Sequence, residues 1–152
     1  MFANRPLGQL SPRDTARATI GGAEVWIDYS RPSRRGRDIF GALEPWNKVW
    51  RTGANAATQL NTTADLVVGG ATVPAGKYTL WTLPSPSGWK LIINKETGQW
   101  GTEYHEERDL VRVDAKVETL ASPIEQFTIA FDSGLLTFAW DETRYSVVVA
   151  KK

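Results

Sequence analysis

The strongest constraint in this chain is a two-residue rhythm. In Ala23-Glu24-Val25-Trp26-Ile27-Asp28-Tyr29-Ser30 the odd positions are apolar and the even ones mostly polar, the period of a strand with one buried face. Val111, Val113, Ala115 and Val117 repeat it against Arg112, Asp114, Lys116 and Glu118, and Phe127, Ile129 and Phe131 form another inward row. Further strand-like segments fall at Ala16–Ile20, Lys48–Thr52, Thr58–Val68, Lys77–Leu83, Trp89–Asn94, Leu135–Trp140 and Arg144–Val149. Turn residues separate them: Gly21-Gly22, Gly69-Gly70, Pro84 to Gly88, Asp132-Ser133-Gly134 and Asp141-Glu142. The expected fold is all-β, an antiparallel β-sandwich or jelly-roll-like arrangement of about nine or ten strands with at most short helical turns. Residues 1–12, with Pro6, Gly8 and Pro12, read as an N-terminal arm, and residues 13–152 as one domain.

Composition narrows the function classes. A chain of 152 residues can bury a core without staples, and 41% hydrophobic content is that of a globular protein. A formal net charge of +1 supplies no overall attraction for nucleic acid or an anionic membrane. No apolar run approaches the roughly 20 residues of a spanning helix, and the start lacks the apolar middle of a signal peptide. With no cysteine there is neither disulfide nor thiolate chemistry.

A single histidine removes most catalytic and metal motifs. His105 lies in the polar run Glu103-Tyr104-His105-Glu106-Glu107, where a solvated loop residue is expected, and no Ser has a nucleophile-elbow context. One His cannot build a zinc, copper or non-haem iron site. The carboxylates Glu103, Glu106, Glu107 and Asp109 lack the spacing of a calcium loop, leaving only an irregular Ca²⁺ or Mg²⁺ site open. Gly70 to Tyr78 departs from a phosphate loop in its glycine spacing and in Tyr78, and reads as a turn entering a strand. No motif implies a cofactor or a metal.

The blocks YSRPSRRGR, VWRTGANAAT, PAGKYTLWTLP and NKETGQWGTEY, within a stretch running from Ser11 to Val149, resemble the bacterial family known as domain of unknown function 2911. The resemblance implies a small β-sandwich of the periplasm or extracellular space, because many members are made with an export signal. It implies no activity, cofactor or catalytic residue.

The irregular segments 31–46, 53–57 and 95–109 hold the densest Arg, Asn, Gln and Trp groupings. Arg31, Arg34, Arg35 and Arg37 repel one another unless Asp28, Asp38, Glu44, carboxylates of the Glu103–Asp109 run, or a bound anion neutralise them. If Val49 faces inward then Arg51 does too, and it needs bidentate acceptors. Trp100 lies on no alternating face. The expected site gathers Arg31, Arg35, Arg37, Trp46, Trp50, Arg51, Asn55, Asn94, Gln99, Trp100 and Tyr104 around a sugar or small anion, in a non-catalytic ligand-binding or interaction module of the bacterial envelope. One alternative is an acid–base enzyme acting on glycans through Glu103 or Glu106, with Tyr104, His105 and Arg51 in support. Another is a structural or self-assembling module whose tryptophans form a homo-oligomer interface.

Overall fold

The computed structural model describes residues 11–152, so the expected arm falls outside the described residues except for Ser11 and Pro12. The chain forms β1 (Arg13–Ile20), β2 (Ala23–Ser30), β3 (Thr58–Thr62), β4 (Leu66–Val68), β5 (Ala71–Val73), β6 (Gly76–Leu83), β7 (Trp89–Asn94), β8 (Asp109–Asp132) and β9 (Leu135–Lys151). Every named pairing is antiparallel, in the order β1-β2-β3-β6-β7-β8-β9-β4-β5. One 3₁₀ turn, Glu106–Arg108, precedes β8. The fold is all-β and sandwich-like, as the alternation predicts. No helix among the described residues is long and apolar enough to cross a membrane.

The sheet closes over its core because β8 changes partners. Its first residues pair with β7 from Asp109 to Ala115, and its remainder pairs with β9 from Lys116 to Asp132. Residues from the two ends of the sheet, Val25 and Ile27 on β2 and Leu66, Val68, Val147 and Val149 on β4 and β9, then share one buried cluster. Two segments expected as separate strands are thus one strand in β8. Likewise Asp141-Glu142 is no turn: β9 continues through it, with Asp141 at φ 55°.

Against β9, β8 is overlong. It takes nine residue steps from Thr119 to Thr128 to pass the four steps from Thr143 to Ala139. The excess bows outward as bulges do, and Pro123 is accommodated inside that bow. Two other expectations shift. Thr58–Val68 divides into β3 and β4, which pair with different neighbours. From Lys48–Thr52 only Trp50 bridges, through two hydrogen bonds of 2.7 and 2.9 Å with Thr82.

The centre of the core is aromatic. Trp50 stacks on Trp140 with centroids 5.7 Å apart, and Phe40 and Phe127 meet both rings edge-on or tilted. On the other face of β6 and β7, Trp81, Ile92 and Ala57 form a smaller cluster covered by Val49, Leu83 and Tyr104. Residues 78–82 are therefore buried on both faces, and the second cover comes from segments 49–57 and 95–109.

A hydroxyl chain threads the junction. Thr58 Oγ1 donates to Thr52 O at 2.6 Å, Thr52 Oγ1 meets Thr82 Oγ1 at 2.7 Å, and Thr82 Oγ1 meets the Tyr145 hydroxyl at 2.8 Å. Full burial pushes the Tyr145 phenol far up, so it stays neutral at all relevant pH. Replacing Tyr145→Phe leaves a buried hydroxyl short of a partner. Chemical denaturation should show a loss of about 1–2 kcal/mol; an unchanged midpoint would mean that the chain contributes nothing.

Candidate functional site

Residues 31–35 dock on the bow of β8. Phe127 N donates to Pro32 O at 2.9 Å and Arg34 N donates to Glu125 O at 2.7 Å, while Ser33 bridges Gln126. Two of the four clustered arginines are consumed by this docking. Arg31 donates through Nε to Phe127 O at 3.0 Å and through Nη2 to Thr128 Oγ1 at 2.9 Å, and it pairs with Asp14 at 3.4 Å. Arg34 Nε lies 2.7 Å from Asp141 Oδ1, a largely buried pair in which neither atom has another partner.

Arg35 and Arg37 remain on the outside. Arg35 sits at φ 54°, held by its backbone N–H donating to Glu125 Oε2 at 2.9 Å. Arg37 donates through Nε and Nη2 to the carbonyls of Arg34 and Ser33 at 2.9 and 2.8 Å, which fixes its guanidinium without supplying a carboxylate partner. Neither has a carboxylate within 4.0 Å among the described residues; nor does Arg51.

Segment 51–57 brings Arg51 to the same place. Trp50 and Thr52 turn into the core, so Arg51 faces the other way with Val49 and needs no internal acceptor. The backbone is held in left-handed conformations at Thr52 (φ 56°) and Asn55 (φ 60°), unusual for a β-branched Thr. Two close approaches explain why the chain goes there. A Cβ on Gly53 would stand 2.9 Å from Ser30 O, and one on Gly101 would stand 2.4 Å from Asn55 O and 2.6 Å from Arg51 Cδ. Gly101 N also donates to Asn55 O at 2.9 Å, and the Arg13 guanidinium reaches the carbonyls of Ala56 and Ala57. The three irregular segments therefore do meet, with 51–57 in the middle.

Segments 31–46 and 51–55 enclose a cleft of about 260 Å³ lined by Arg35, Arg37, Glu44, Arg51, Asn55 and Trp140, with Leu43 and Gly53 beside them, while segment 95–109 packs behind Arg51 and contributes no lining residue. Glu44 is the only acid in the lining and makes no ion pair or side-chain hydrogen bond among the described residues. Its position is set by the tight turn in which Gly41 N donates to Glu44 O and Glu44 N to Ile39 O, both at 2.9 Å. Burial outweighs the pull of Arg51 and Arg37 and raises its carboxyl to about 7.

The other expected residues lie elsewhere. Trp50 is in the core. Trp46, 38% exposed, meets Trp89 edge-on and borders a separate depression with Asp38 and Thr143. Asn94 is fully buried and staples the 95–109 segment, donating to His105 O and Asp109 Oδ1 at 2.9 Å while its Oδ1 accepts from Glu96 N. Gln99 donates to Thr79 Oγ1 at 3.4 Å. Trp100, 52% exposed, bridges Ala56 through its backbone and does not line the cleft. Tyr104 covers Trp81, and its hydroxyl donates to Asp109 and accepts from Arg112; burial and Asp109 push it up to about 12. Glu103 and Glu106 are exposed, and His105 bonds Glu96 at 2.7 Å, which raises it. None of the four enters the cleft that holds Arg51. No group of three metal-ligating side chains converges among the described residues.

Leu43 and Trp140 are cleft residues that the sequence did not mark, and Glu44 was marked only as one of several possible carboxylate partners for the arginines. Glu44 stands between Gly41 and Pro45, and the turn this implies was the available signal; Trp140 reads only as a core position.

The family model described as Protein of unknown function (DUF2911) matches residues 11–149. No curated protein and no solved structure matches the chain.

The raised Glu44 carboxyl makes stability depend on pH. The folded form holds the proton more tightly than the unfolded one, so its contribution is full below about pH 4.5 and is lost as pH rises towards 7. Glu44→Gln escapes that loss. In chloride buffer at pH 8 the variant should be more stable by on the order of 1 kcal/mol, about 2–4 °C in Tm, and indistinguishable at pH 4. A variant less stable at pH 8 would show that ionised Glu44 is held favourably by its arginines.

Proposed function

We propose that this chain, which belongs to the DUF2911 family across residues 11–149, is a non-catalytic module that binds a small oxyanion in the Arg35–Arg37–Arg51 cleft. The carrying observation is the convergence of three guanidiniums on one concavity in which the described residues supply no carboxylate partner. Three cations lining one cleft repel one another unless an anion sits among them. Guanidinium forks are also the donors best matched to carboxylate and phosphate oxygens.

The lining supports binding more than catalysis. Its one titratable acid has no partner arranged to orient it, and no nucleophile lies beside it. Asn55 adds an amide donor and acceptor, and Leu43, 41% exposed, offers an apolar contact to whatever carries the anionic group. As part of this proposal the module works in the bacterial envelope, the setting that the family's export signals imply.

Thermal unfolding in sulfate, phosphate, acetate and galacturonate, each against chloride of matched ionic strength, tests the reading. A ligand of the native state at 100 times its Kd adds about 2.7 kcal/mol, and Arg51→Gln should abolish the gain with its own Tm in chloride nearly unchanged. Equal shifts in chloride, or an Arg51→Gln variant that binds like the wild type, would remove the cleft from the function.

A further inference from the structure

We infer that the cleft takes a doubly charged oxyanion together with one proton carried by Glu44, and that a phosphate monoester is the class of ligand that fits. The inference rests on the oxyanion-binding reading and specifies it.

The geometry supplies the reason. Glu44 lines the same concavity as Arg35, Arg37 and Arg51, and every other group in that lining is neutral: Ser11, Pro32, Leu43, Gly53, Ala54, Asn55 and Trp140. The charged groups that act on the Glu44 carboxyl are Arg51 and Arg37, and Arg35 lines the same cleft. An oxyanion seated among them shares the cavity with the carboxylate. Two like charges in one small site do not both persist, and one takes a proton. Once protonated, Glu44 turns from a repelling acceptor into an O–H donor, so its hydrogen bond joins those of the guanidiniums on the ligand oxygen. The carboxyl is already poised for this, since burial lifts it to about 7 before any ligand arrives.

Charge selects the ligand. The lining carries three positive charges once Glu44 is neutral, which favours a dianion over a monoanion. A phosphate monoester ionises a second time near pH 6, close to the Glu44 carboxyl, so near neutrality the pair together holds a single proton that either can carry. A carboxylate, protonating near pH 4, cannot share it. The volume of about 260 Å³ accommodates a phosphoryl group and a few further atoms, and the exposed Leu43 offers the ester substituent an apolar contact.

Calorimetric titration of the whole chain at constant ionic strength, from pH 5 to 8.5, with sulfate and with methyl phosphate as probes, tests this. Sulfate stays a dianion throughout. Its Kd should be flat below pH 7 and rise about tenfold per unit above it, with one proton taken up per anion bound, and the Glu44→Gln variant should lose that dependence. Methyl phosphate should bind tightest between about pH 6 and 7 and weaken about tenfold per unit on both sides; in Glu44→Gln only the low-pH limb should survive. Sulfate binding that is independent of pH in the wild type overturns the proton coupling while leaving oxyanion binding intact. Methyl phosphate that follows sulfate at low pH overturns the monoester assignment. If neither anion binds at any pH, the oxyanion reading itself falls, and this inference with it.

Discussion

A strand longer than its partner must bow, and the bow in β8 between Thr119 and Thr128 is the constraint on which the site depends. Within the bow only Ile124 keeps a β9 partner, Asp141, and buried backbone groups left without one are costly. Residues 32–34 supply partners for Glu125, Gln126 and Phe127, and Trp140 Nε1 adds a bond to Glu125 O at 3.1 Å. The pairing also sorts the arginines. Arg31 and Arg34 are spent on β8 and β9, and the chain direction that results leaves Arg35 and Arg37 on the open side. The same sequence cluster is thereby half clasp and half site.

The second half is held by strain that is compensated nearby. A buried Thr at positive φ costs on the order of 1–3 kcal/mol, and Thr52 recovers it through hydrogen bonds at both its hydroxyl and its carbonyl. Gly53 against Ser30 and Gly101 against Arg51 allow backbone approaches that any side chain would block. Arg51 is consequently boxed on one side by the 95–109 segment and aimed at the cleft. Such donors, positioned before the ligand arrives, lose little entropy on binding.

The fold was legible because its signal is local: alternation at β2, at the start of β8 and at Phe127–Phe131 survives into the structure. What sequence could not show was which breaks in rhythm are turns and which are bulges. Asp141-Glu142 has turn composition, yet Asp141 is held at positive φ within a continuous strand by the ion pair to Arg34. For the site, crowding drew attention to Arg35 and Arg37 and strand alternation to Arg51, and the three line one cleft. The tryptophans misled, since an indole looks alike in sequence whether it is core, as Trp50, or cover, as Trp100. Glu44 stood in sequence only as one of several possible carboxylate partners for the arginines, because its significance comes from what surrounds it.

The central claim is that the unneutralised guanidiniums form a built anion site. It is tested most directly by soaking crystals grown in chloride with selenate and locating selenium by anomalous scattering. The account predicts a peak inside the cleft, with oxygens about 2.7–3.2 Å from at least two of Arg35, Arg37 and Arg51. Selenate bound only elsewhere on the surface, with Arg51 folded onto a carboxylate, would contradict it.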